Sequence, residues 1–153
     1  MLFRSNFSLL SNLFSSLGSG PSIQVALSLF RSVCLPLLTY GLSSLPLSQS
    51  ELHSFSFAYN NIFHKLFKTN NKQTTEQCQY FCNFWPFSAW YEYLRFSFLA
   101  DLFKRGFLLN NNVFDQSDCH ELFNIASKYN FEICDSVHML KRKVWHSLEC
   151  QLF

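Results

Sequence analysis

The sequence predicts an all-α fold, about six or seven helices in an irregular bundle. Three observations carry the prediction. Apolar residues recur at three- and four-residue spacing along most of the 153 residues. No stretch alternates apolar and polar residues over a strand's length. The few Pro and Gly residues, four of each, fall mostly at the edges of the periodic runs.

Phe7, Leu10, Phe14 and Leu17 mark the face of a first helix, which Gly18 and Gly20-Pro21 stop. Ser22 is placed to cap a second, with Ile23, Ala26, Leu27, Phe30 and Val33 as its apolar positions. Pro36 should end or kink it, because proline has no backbone donor and disfavours helix in the residue before it. Tyr40-Gly41 then reads as a turn. Ser48 and Glu51 match a capping box, in which each side chain satisfies the other residue's orphan backbone donor. The helix that follows is the clearest in the chain, with Leu52, Phe55, Tyr59, Ile62 and Leu66 on one face, and it should end near Asn70-Asn71. Thr75 is the expected cap of a short helix holding Cys78, Phe81 and Cys82, closed by Pro86. Ser88 opens another through Trp90, Leu94, Phe98 and Leu102. Residues 106–112 read as a loop, and two helices at about 117–129 and 135–150 complete the chain.

Hydrophobic residues make up 48% and charged residues 14%, against the roughly 25% charged share of ordinary domains. Disorder needs the opposite balance. Residues 1–50 carry only Arg4 and Arg31, so the first third should lean on the rest of the chain, another protein or a membrane. Residues 23–42 contain Arg31 and Pro36 and fall short of the ~20 clean apolar residues of a spanning helix, so no transmembrane segment is expected. Asn6, Ser8, Ser11 and Asn12 interrupt any signal-peptide core. Six cysteines in a long helical chain read as thiols of a reducing compartment, nucleus or cytoplasm rather than outside the cell. The net charge of +2 is too small to argue nucleic-acid binding alone. The 19 Phe are compatible with T-rich coding DNA, so an aromatic pattern by itself carries no function.

Candidate chemistry is sparse. Cys78 with Cys82, and Cys134 with His138, are i, i+4 pairs that could supply four tetrahedral zinc ligands. Their spacing departs from finger and knuckle patterns, and half-buried helical cysteines explain them more simply. No carboxylates are adjacent, and Asp115 and Asp118 sit where acids favour a helix start. No nucleophile elbow or glycine-rich phosphate loop is present. Catalysis by this chain, a cofactor and a small-molecule substrate are therefore not expected. Basic groups cluster at His64, Lys65, Lys68 and Lys72, and again at Lys141, Arg142 and Lys143. Both clusters fit a solvated face more simply than phosphate contact.

The corner at Cys34, Pro36, Leu38, Tyr40 and Gly41, followed by Leu47, Leu52, Asn60, Lys65, Leu66 and Phe67, resembles the segment after the polymerase palm in LINE-type, non-LTR retrotransposon reverse transcriptases. The likeness extends back through Asn12, Leu17 and Gly18 and forward to Arg95 and Phe98, roughly residues 7–105. The resemblance implies a thumb-like region over 1–110, with 1–35 facing the palm, and a helical tail over 111–153. It implies partners too: an RNA or RNA–DNA duplex, and the palm and fingers of a parent polymerase. Lys65, Lys68, Lys72, Arg95, Lys104, Arg105, Lys141, Arg142 and Lys143 would then be the candidate phosphate contacts. Polymerisation itself needs metals held by palm carboxylates, including an adjacent Asp pair. This sequence has none, so the expectation is a catalytically incomplete fragment. The alternative is a helical protein- or membrane-interaction module unrelated to polymerases.

Overall fold

Pro36 shapes the first helical run. The computed structural model describes residues 23–109 and 115–152, the side chains of 106–109 excepted; the expected first helix and the Ser22 cap lie outside these residues. Helix α1 (Ile23–Leu29) runs into a π-helical turn (Phe30–Cys34) and on into α2 (Leu35–Thr39). A proline at 36 offers no N–H to the carbonyl four residues back, and its ring crowds that carbonyl. The run widens instead of ending, with the Leu35 N–H bonded to the Phe30 carbonyl five residues back. Gly41 then takes the left-handed φ of +75° that the turn requires, a conformation an L side chain rarely adopts. A short 3-10 turn (Leu42–Ser44) follows.

Helix α3 (Gln49–Phe67) starts at the predicted capping box. The Ser48 N–H donates to the Glu51 carboxylate at 2.9 Å, and the Glu51 N–H to the Ser48 hydroxyl at 3.4 Å. Those bonds hold the Glu51 carboxyl below the usual carboxylate range. The helix closes at Lys68, whose backbone is left-handed at φ 52°. Helix α4 (Lys72–Phe81) begins ahead of the expected Thr75 cap. Asn71 is the actual cap, its side-chain oxygen accepting from the N–H groups of Gln73 and Thr74 at 2.9 and 3.3 Å. Thr75 is buried within the helix, and its hydroxyl donates to the Asn71 carbonyl. Helix α5 (Phe87–Leu109) continues into the expected loop as far as Leu109, and α6 (Gln116–Tyr129) and α7 (Val137–Leu152) fall close to prediction. Counting α1, the π turn and α2 as one run, the described residues form six helices and no strand, the all-α fold expected.

The described residues divide into two compact units. One holds the chain through Tyr40 together with Leu47–Phe87; the other holds Gly41–Pro46 with the chain from Ser88 onward. The expected boundary near residue 110 is therefore not where this division falls.

The first unit is organised by aromatic packing. Phe30 meets Tyr59, Phe63 and Phe84 at ring-centroid distances of 5.4–5.7 Å. The buried Tyr59 hydroxyl donates to the Trp85 carbonyl at 2.8 Å, and burial pushes its phenol far above the ordinary value. Arg31 donates to the carbonyls of Cys82 and Asn83, at the C-terminal end of α4, and lies over the Phe84 ring. That is the dipole end where a cation is favoured.

The second unit is organised by Arg95, 2% exposed. Its Nε donates to Glu121 at 3.0 Å, its Nη2 to Asp118 at 3.0 Å, and its Nη1 to the Ser43 carbonyl at 3.2 Å. Burial lowers the affinity of the guanidinium for its proton, while Glu121 and Asp118 raise it, and the net shift is upward. Around this network Phe96 packs on Phe131 at 4.7 Å, and Leu99, Leu122, Leu140, Val144 and Leu148 complete the core. Glu92 on α5 takes bonds from Lys128 and from the Tyr129 hydroxyl, joining α5 to α6.

Candidate nucleic-acid interface

The hydrogen bonds of the α3–α4 corner determine where its lysines stand. His64 Nδ1 lies 2.7 Å from the Thr69 carbonyl and 3.1 Å from the Thr75 hydroxyl oxygen. The Thr75 hydroxyl proton is already given to Asn71, so Nδ1 carries a hydrogen and donates to both oxygens. His64, expected as part of a basic cluster, therefore fastens the corner from inside. Lys65 and Lys68 at the end of α3, and Lys72 at the start of α4, project from it and are exposed. Among the described residues Lys65 and Lys68 have no ion-pair partner. Lys72 pairs with Glu76 at 3.8 Å, with its own side chain 83% exposed; such a pair contributes about 0–1 kcal/mol and is readily exchanged.

The other candidate cations divide. Arg95 is a correction to the sequence expectation, since its guanidinium is enclosed and bonded within the second unit and cannot also meet a phosphate. Lys143 is similarly engaged, donating to Asp135 and to the Asn130 carbonyl, each at 2.7 Å. Arg105 pairs with Asp101 at 2.8 Å on an exposed helix surface. Lys104, Lys141 and Arg142 are exposed, without an ion-pair partner among the described residues. The run Lys141-Arg142-Lys143 is thus split by the helix: two side chains face out and one is tied down.

Charge is unequal between the units. The first has five Lys or Arg against two Asp or Glu, net +3; the second has seven against eight, net −1. Most basic groups of the second are consumed by Asp118, Glu121, Glu92, Asp135 and Asp101. The local positive field belongs to the first unit, which the whole-chain value of +2 conceals.

The described residues contain no group of three or more His, Cys, Asp or Glu side chains placed to hold a metal ion. Cys78, Cys82, Cys134 and His138 are therefore not assembled as a four-ligand set. Cys134 also precedes α7 rather than sharing a helix face with His138, and Cys82 is the C-terminal cap of α4. Burial raises the Cys82 thiol, with the neighbouring Cys78 adding to the effect, and burial raises Cys34 as well.

Sequence reading passed over the outer face of α3. At about 100° per residue, Phe57, Asn61 and Lys65 fall within a sector of about 80° whose centre is about 160° from the buried Tyr59, with the buried Ala58 and Ile62 flanking it on the Lys65 side. Phe57 is 61% exposed. A signal was available, because Phe57 is out of phase with the apolar series from Leu52 to Leu66.

The α1–α2 run shows a different surface. Ile23, Val25, Val33, Leu37 and Tyr40 are exposed. Against the sequence expectation, Ile23–Ser44, which contains an 18-residue window of mean hydropathy 1.6, is long and apolar enough to cross a bilayer by length and composition. Its hydrogen bonding shifts to the wider five-residue pattern at the π turn and the helix stops before Gly41, and Arg31 lies within it. No protein-family model matches the chain, and neither the curated proteins nor the solved structures give a match.

Proposed function

We propose that this chain is a catalytically incomplete, thumb-like helical fragment related to the C-terminal region of non-LTR retrotransposon reverse transcriptases. In this reading it holds nucleic acid weakly and without sequence preference. The observation that supports it best is the α3–α4 corner, where Lys65, Lys68 and Lys72 project from a unit with only two acidic residues. The ordered resemblance from Cys34 to Phe98 points toward that family; the corner supplies a physical means of phosphate contact. No adjacent Asp pair is present to hold polymerase metals, so binding is proposed without copying.

Fluorescence anisotropy with a labelled RNA–DNA duplex, across a salt series, tests the reading. Each phosphate neutralised contributes about −0.9 to the slope of log affinity against log salt on duplex DNA. Reversing Lys65, Lys68 and Lys72 together to Glu should therefore flatten the slope by about 2–3 and abolish binding near physiological salt. Affinity indifferent to salt, or to the triple reversal, overturns the proposal.

A second reading is supported by the exposed apolar residues of α1 and α2. Here the chain is an interaction module that docks a protein or a membrane through that run. Monomeric behaviour at high concentration together with failure to co-float with anionic lipid vesicles would eliminate it.

A further inference from the structure

The outer face of α3 combines three chemistries in one row. Phe57 offers an exposed aromatic ring, Asn61 an amide that both donates and accepts, and Lys65 a cation. They lie one turn apart, so the row from Phe57 to Lys65 is about 12 Å long at 1.5 Å per residue. Lys68 and Lys72 continue the cationic end. Stacked nucleotides advance about 3.4 Å each along one strand, so the row accommodates more than one.

We propose that this row is a contact surface for an unpaired stretch of nucleic acid, with Phe57 stacking on a base, Asn61 meeting a base edge, and Lys65 and Lys68 on the phosphates that follow. The inference rests on the function proposed above and adds to it a preference for single strand over duplex. A duplex presents phosphates and sugars but keeps the faces of its bases stacked inside, so it gives the lysines partners and leaves Phe57 idle. An unpaired strand uses both, the combination by which single-strand binders work.

Among the exposed aromatics Tyr40, Phe57, Phe81 and Phe123, Phe57 is set apart by the unpaired Lys65 on the same face of its own helix. Phe81 is packed edge-on against Tyr80 at 5.7 Å. Among the described residues Phe57 has no ring partner, and Lys65 lies two turns further along the same face. The acidic residues of this unit are both engaged elsewhere, Glu51 in the capping box and Glu76 with Lys72. Nothing acidic on the row opposes a phosphate.

The test uses the full chain with two probes of equal length, a mixed-sequence single-stranded RNA carrying one 2-aminopurine and its duplex with complementary DNA. The expected result is tighter binding of the single strand at matched salt, with 2-aminopurine fluorescence quenched by stacking. Phe57→Ala should weaken single-strand binding about 5- to 150-fold and abolish the quench. It should leave duplex binding and the salt slope unchanged, and Phe57→Trp should restore the quench. If the wild type binds both probes and Phe57→Ala changes neither, the stacking proposal is overturned while the lysine corner stands. Equal loss on both probes overturns it too, because stacking on an unpaired base cannot weaken a duplex. Absence of binding to either probe overturns this inference and the function on which it rests together.

Discussion

Replacing Arg95 with methionine should be the most damaging single change in the second unit. Methionine keeps most of the apolar stem and removes the charge and every donor. Asp118 and Glu121 would then face each other without a cation, and the Ser43 carbonyl would lose its partner. Breaking a buried ion network by removing one side costs about 3–5 kcal/mol. The Arg95 side chain is 3% exposed, but Asp118 and Glu121 are 28% and 30% exposed and regain some water. The cost should therefore lie at the low end, about 3 kcal/mol. Each kcal/mol shifts the melting midpoint of a unit this size by about 4–8 °C. Urea unfolding at pH 7 followed by circular dichroism gives the free energy, and amide hydrogen exchange shows whether the loss falls on α5 and α6. Neutralising the acids as well, with Asp118→Asn and Glu121→Gln on the Arg95→Met background, should recover part of the loss by removing the uncompensated charges. An Arg95→Met variant within about 0.5 kcal/mol of wild type would place it among ordinary surface substitutions and refute the reasoning. So would a triple variant no better than the single.

Asp135 is held below the ordinary carboxylate range by its bond from the Glu132 N–H and by Lys143. A carboxyl depressed on folding adds stability above its unfolded value of about 3.9, and that stability is lost as pH falls through the folded value. The wild type should therefore lose more stability between pH 6 and pH 3 than Asp135→Asn, read from urea midpoints at each pH. His64→Ala should cost about 1–2 kcal/mol by leaving the Thr69 carbonyl and the Thr75 hydroxyl without their donor, and increased amide exchange at residues 64–75 would report it. In the native protein Cys134 and Cys150, both exposed, should react with a thiol reagent well before Cys34, which is buried with its thiol raised; mass spectrometry of the labelled peptides gives the order.

Local rules made much of the fold legible. The capping box, the Tyr40-Gly41 turn and the helical periodicities are properties of a few neighbouring residues, and within the described residues they appear where the spacing put them. The misses have local competition or distant partners behind them. Asn71 and Thr75 are both acceptable caps; Asn71 prevails because Thr75 finds a buried bond inside the helix. Pro36 was expected to stop or bend a helix, and the π turn is a third response that no propensity scale distinguishes. Arg95 shows the limit for sites most clearly. Its sequence neighbours describe a basic residue on an amphipathic helix; only the positions of Asp118, Glu121 and Ser43, 23 to 52 residues away, turn it into a core residue. The same holds for Lys143, while Lys65, Lys68 and Lys72 keep the exposure expected because no acid of their unit reaches all three.

The two proposed functions differ in which surfaces are occupied, and the structure keeps those surfaces apart in chemistry. The exposed residues of the α1–α2 run are the apolar Ile23, Val25, Val33, Pro36 and Leu37 beside the uncharged Gln24, Ser28 and Ser32, and Arg31, the one charge of that run, is bonded to the end of α4. The outer row of α3 carries an aromatic ring, an amide and cations. A partner recognised through apolar contact has no use for the second surface, and a polyanion has none for the first. In the thumb-like reading both are used, the apolar run by a palm and fingers and the cationic row by nucleic acid. In the interaction-module reading the lysines are solvating charges, so their reversal should leave partner binding unchanged. The three reversals at Lys65, Lys68 and Lys72 therefore separate the readings more sharply than any change to the apolar run. The apolar run has a function in both readings, whereas the lysine corner has one in only the first.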